Sequence, residues 1–180
     1  MYNNEMPAID IVTVMMLAVL GIMLTVSVYM ELSKGRIPNW VCLCGAVAGL
    51  LLGYLPGGIS LKSSMVGLLI GFGFLFLFYV FGGVGGGDVK LMGAAGALLG
   101  SDLIQPALFF TALTGAVMAL LALIWSRNFR DGLERTMKRL IVWRKQEPAA
   151  TAADQFSPVT VPYGVAIAVG CLAALFIRGR

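Results

Sequence analysis

Residues 11–30 read IVTVMMLAVLGIMLTVSVYM, 20 positions without a charge between Asp10 and Glu31. An α-helix needs about 20 such residues to cross a bilayer, because it advances about 1.5 Å per residue through a hydrocarbon core about 30 Å thick. The run is too long for the apolar core of a secretory signal, and residues 1–10 contain no Lys or Arg, so a retained membrane helix is expected. Working outward, further uncharged stretches cover 37–61, 63–87, 103–126 and 155–177. A fifth, over 91–101, has only 11 residues. It is too short to span, but a broken helix is tolerated where it lines a cavity in the protein. The expected fold is therefore all-α: a polytopic membrane protein of about six transmembrane segments, the fourth short and broken. Residues 1–180 form a single membrane-embedded domain in this reading.

Composition agrees. The chain is 59% apolar and 12% charged, with a mean hydropathy of +0.90. A soluble domain carries about 25% charged residues. A soluble domain, a disordered chain and a DNA-binding domain are all excluded by this scarcity of charge. Histidine is absent, which removes Ser-His-Asp and Cys-His triads and His-based zinc sites. No metal or cofactor is expected. Cys42, Cys44 and Cys171 lie in apolar context, and Cys42-Leu43-Cys44 has the wrong spacing for a zinc knuckle or redox pair, so buried structural thiols are expected.

Turn residues mark the joints. Pro38-Asn39 starts the second segment and Pro56-Gly57-Gly58 ends it. Pro106 is expected to open the fifth, and Pro158 and Pro162 to flank the start of the sixth. Gly45, Gly49 and Gly53 recur every four residues, as do Gly67 and Gly71. Small residues at this spacing let helix backbones approach closely.

Basic residues predict the orientation. With the N-terminus outside, ten of the 13 Lys and Arg fall on the inner side. Cytoplasmic loops carry such an excess, so both termini are expected to face away from the cytoplasm. Seven of the ten lie in a loop over 126–157, where Phe129, Leu133, Met137, Leu140 and Ile141 share one helical face. That loop reads either as an amphipathic helix on an anionic lipid surface or as a substrate-binding element. Attraction to lipid accounts for the net charge of +4, and no nucleic acid partner is expected.

Of nine acidic residues, only Glu31 and Asp88 sit at the inner margin of transmembrane segments. Ionisable groups there are costly and usually functional. Two carboxylates brought together can share one proton, one acting as base on a water and the other as acid toward a carbonyl oxygen. This peptide-hydrolysing arrangement requires no histidine, metal or nucleophilic serine. Asp88 ends a glycine run, Gly82-Gly83-Val84-Gly85-Gly86-Gly87-Asp88-Val89-Lys90, which allows close approach of another backbone. Asp88 also reads as the cap of the helix that follows, although capping does not explain five glycines in six residues. The run lacks the GKS or GKT ending of a phosphate loop. Glu31 reads equally as a surface acid paired with Lys34 or Arg36. Lys90 either orients the pair of acids or snorkels to the lipid surface.

Three elements together resemble the type IV prepilin peptidases, which are GxGD-type intramembrane aspartic proteases. They are Glu31 followed after five residues by Ile37-Pro38-Asn39, then Gly85-Gly86-Gly87-Asp88-Val89-Lys90-Leu91, then Pro162-Tyr163-Gly164. The resemblance covers residues 8–177, and the short length is similar to the form associated with tight-adherence (Flp-type) pili. It implies a single peptidase domain that removes a prepilin leader at the cytoplasmic face of the bacterial inner membrane. By resemblance Asp88 and Glu31 are catalytic. Gly85, Gly86, Gly87, Lys90, Ile37, Pro38, Asn39, Pro162, Tyr163 and Gly164 support them or bind substrate, and packing alone is a further reading of Pro162-Tyr163-Gly164. Implied partners are the prepilin, membrane lipid and pilus-assembly proteins. Longer relatives carry paired CxxC motifs and an N-methyltransferase activity; those motifs are missing here, so methyl transfer is not expected. The family has aspartate where this chain has Glu31. That departure leaves an alternative, a catalytically impaired relative acting as a membrane scaffold in pilus assembly or secretion.

Overall fold

A computed structural model of the chain describes residues 11–125 and 162–178, with side chains up to 122 in the first stretch. The loop over 126–157, Pro158 and residues 1–10 lie outside the described residues. The described residues form five helices: α1 (Ile11–Lys34), α2 (Asn39–Tyr54), α3 (Leu61–Val80), α4 (Gly86–Trp125) and α5 (Tyr163–Arg178). Among them α1, α3 and residues 86–122 of α4 are long and apolar enough to cross a membrane, and α2 and α5 are shorter apolar helices. This is an all-α membrane protein. Among the described residues, 11–115 and 162–178 make one compact unit. Residues 116–125, which are helical, belong to a second.

The expected fourth and fifth segments are the two halves of α4. They are divided at Gly100, whose φ of 74° and ψ of −179° are non-helical. A side chain pays a steric penalty at such a φ and glycine does not. In a straight helix Met92 and Ile104 would stand about 18 Å apart. Instead both pack beside Gly71, and Ile104 also lies against Gly96, so the chain folds back at Gly100. Ser63 secures the turn by accepting from the Ser101 N–H at 3.0 Å. Pro106 does not open a segment as expected. It lies inside the helix, because the left-handed glycine six residues earlier has already broken the chain.

The first half of α4 is the hub. Every residue from Leu91 to Gly100 is buried, and Leu91, Met92, Ala95 and Ala97 are wholly so. The glycine stripes explain how neighbours come so close. A Cβ on Gly49 of α2 would stand 2.8 Å from the Ala97 backbone, and one on Gly67 of α3 would collide with the Gly96 carbonyl. The outer faces carry large apolar side chains, such as Phe72, Phe74, Phe76 and Phe78 on α3, as suits helices in contact with lipid. Cys42 and Cys171 are buried, but Cys44 is exposed. Two residues along a helix is more than half a turn, so Cys44 points away from the core that Cys42 faces.

Candidate active site

The helices bring both margin acids to one end of the first unit. α1 continues beyond the uncharged run, so Glu31 lies in its last turn, next to Lys34. Gly35, at φ 64°, then reverses the chain, its N–H donating to the Glu31 carbonyl at 2.8 Å. The chain passes through Ile37 and Pro38 into α2, with Pro38 extended at φ −68° and ψ 132°. Proline suits this place because it lacks an N–H and fixes φ.

Asp88 occupies the first turn of α4. Gly85 stands at the cap position, accepting from the Asp88 and Val89 N–H groups. Asp88 reaches back so that its Oδ2 accepts from the Gly85 N–H at 3.2 Å. This is the reciprocal half of a capping box, in which the third helical residue satisfies the cap's own N–H. Asp88 therefore does help to start its helix, from the third helical position. It is only 7% exposed, and its Oδ1 is buried with no hydrogen-bond partner among the described residues.

Glu31 reaches a different helix start. Its Oε2 accepts from the Gly164 N–H at 2.9 Å. This donor belongs to the first turn of α5, where N–H groups have no partner within the helix. A Cβ on residue 164 would collide with Glu31 Oε2, so glycine is required for the contact. The pairing of Glu31 with Lys34 or Arg36 is thus replaced by a contact across 133 residues of sequence.

Ile37 joins the two acids' surroundings. A Cβ on Gly87 would stand 3.2 Å from Ile37 Cβ, and one on Gly164 would stand 3.5 Å from its Cδ1. One isoleucine side chain thus touches the residue before Asp88 and the residue bonded to Glu31. The two carboxylates are within electrostatic reach of each other, and Tyr163 is within reach of Asp88. The Tyr163 ring packs over Gly115.

Lys90 Nζ donates to Asn39 Oδ1 at 2.9 Å, tying the beginning of α4 to that of α2. Cys42, one helical turn after Asn39, lies 4.0 Å from the Gly87 carbonyl. Sequence reasoning set Cys42 aside as packing; its i, i+3 spacing from Asn39 is the signal that places it on the same face. Asn39, Trp40, Cys42, Phe72, Lys90 and Gly93 line part of an apolar groove of about 490 Å³ between α2, α3 and α4. All three sequence elements thus converge: Ile37 and Asn39, Gly85 to Lys90, and Tyr163-Gly164.

The type IV leader peptidase family model matches residues 18–120, more than half of the chain. This chain belongs to that family. A prepilin leader peptidase/N-methyltransferase of Aeromonas hydrophila is 34% identical over 107 residues, which are 56% of this chain and 37% of that protein. Another of that name, from Bacillus subtilis (strain 168), is 42% identical over 59 residues, 31% of this chain and 24% of that protein. The alignments thus cover well under half the length of either relative. No solved structure matches the chain.

Proposed function

We propose that the chain is a prepilin leader peptidase, an intramembrane aspartic endopeptidase whose acids are Glu31 and Asp88. The supporting observation is that two carboxylates 57 positions apart in sequence share one end of the helical unit, with a single isoleucine against both surroundings. Such a pair divides acid and base duties: one activates a water and the other protonates the carbonyl oxygen. The substrate in this reading is the leader junction of a prepilin, of the Flp type that the resemblance implies. In this reading the site lies at the cytoplasmic face of the bacterial inner membrane, and the basic-residue excess supports the cytoplasmic orientation. Both matched relatives are named for methyl transfer as well; the reading proposed here concerns the peptidase.

The test is leader removal. Membranes containing the protein and a co-expressed Flp-type prepilin should yield pilin of the shortened mass. An unshortened precursor, with the protein present in the membrane, would refute the reading. One observation favours a second reading: Glu31 is engaged with the start of α5, a structural duty that a non-catalytic scaffold would also need. Glu31→Asp separates the two. Cleavage that appears only in this variant identifies the natural chain as the scaffold; cleavage by both identifies it as the peptidase.

A further inference from the structure

Resting on the peptidase reading, we infer that the two acids have fixed and different duties: Asp88 holds the proton and acts as general acid, and Glu31 is the charged general base.

Three observations separate them. The first is hydrogen bonding: Glu31 Oε2 receives the Gly164 N–H at 2.9 Å, from the start of another helix. Asp88 receives the Gly85 N–H at the longer distance of 3.2 Å. Backbone donors favour the ionised form of the carboxylate they reach. The second is burial. Asp88 is 7% exposed, whereas Glu31 is half-buried beside Lys34 at the end of α1. The third is the buried, unpartnered Asp88 Oδ1. A charge left on that oxygen would lack compensation, while a hydroxyl there is a donor ready for a substrate carbonyl. The helix ends offset each other, since Asp88 lies at the start of α4 and Glu31 meets the start of α5. Among neighbouring charges, Lys90 is held by Asn39.

The steps balance. Glu31 takes a proton from water as the water oxygen forms a bond to the scissile carbonyl carbon. The carbonyl π pair moves to oxygen, which takes the Asp88 proton, giving a gem-diol. Glu31 then delivers its proton to the leaving nitrogen as the C–N bond breaks. Asp88 recovers a proton from a gem-diol hydroxyl as the carboxyl product forms. Both acids end as they began.

The experiment compares amide and alanine variants of each acid in the leader-removal assay. An amide still donates a hydrogen bond but is not a base. Asp88→Asn should therefore cleave about tenfold or more faster than Asp88→Ala, whereas Glu31→Gln should be no faster than Glu31→Ala. The reverse order, or equal rates for both pairs, overturns the assignment. If an alanine variant fails to accumulate, Asp88→Asn against Glu31→Gln is decisive, with Asn expected to be the faster. Unfolding midpoints in detergent check that the compared proteins are folded. Absence of cleavage by the unsubstituted chain would instead refute the peptidase reading, so the two failures are distinguishable.

Discussion

The end of α1 and the beginning of α4 each present one carboxylate at the same end of the molecule, yet they treat it differently. Asp88 is turned back onto its own helix, where it satisfies the Gly85 N–H and is covered on nearly all sides. Glu31 leaves its helix and satisfies the start of another, at Gly164. The first contact is local, three residues apart, and follows from capping chemistry. The second joins positions 133 residues apart and has a glycine opposite the carboxylate. An aspartate arm is one methylene shorter. The glutamate here, where the resemblance implies aspartate, thus makes a specific long-range contact.

Several substitutions would break or sharpen this comparison. The largest losses are expected from Glu31→Gln and Asp88→Asn, each lowering leader cleavage by about 10²–10⁴-fold as the general base or acid is removed. The pH–rate profile of the unsubstituted chain should fall on both sides, reporting the pair rather than either acid alone. Gly164→Ala should cost about 100-fold, since its Cβ would push Glu31 Oε2 aside and a shift of about 1 Å at a reacting group has effects of that size. Adding Glu31→Asp should recover part of that loss by shortening the arm; a double variant no faster than Gly164→Ala would show that the steric account is wrong.

Smaller effects concern stability. Ile37→Ala should lower unfolding free energy by about 1–2 kcal/mol, below the 2–5 typical of a fully buried site because Ile37 is only partly buried. It should slow cleavage as well, because Ile37 touches the surroundings of both acids. Glu31→Ala should cost about 1 kcal/mol as the cap on α5 is lost. Glu31→Gln should cost less, as its amide oxygen still accepts from Gly164. Equal midpoints for the two would mean that the cap contributes nothing. Lys90→Met should have the least effect, about 0.5 kcal/mol from one exposed hydrogen bond.

Much of the site was legible in the residues. Scarce charge narrowed nine acids to Glu31 and Asp88, and the glycine run marked a place of close backbone approach; Gly87 does press on Ile37. The glycine stripes foretold helix contacts and are found in them. The Gly164 partner of Glu31 was not legible, because nearby Lys34 and Arg36 are visible in sequence and an N–H at position 164 is not. Cys44 was assigned to the interior with Cys42, because apolar context is the same on both sides of a membrane helix.

The sequence alone determined that this is a helical membrane protein with two margin carboxylates, since a run of uncharged residues has few other stable homes and an acid at its edge stands out. Hydropathy could not tell the first half of α4 from the lipid-facing side of α3: alanine, leucine and phenylalanine are equally at ease against protein or lipid. Only the tertiary structure decided which helix is the hub, that the chain folds back at Gly100, and that Glu31 meets the start of α5. Those outcomes depend on backbone approach and unpaired N–H groups, which every residue carries and no residue name reveals.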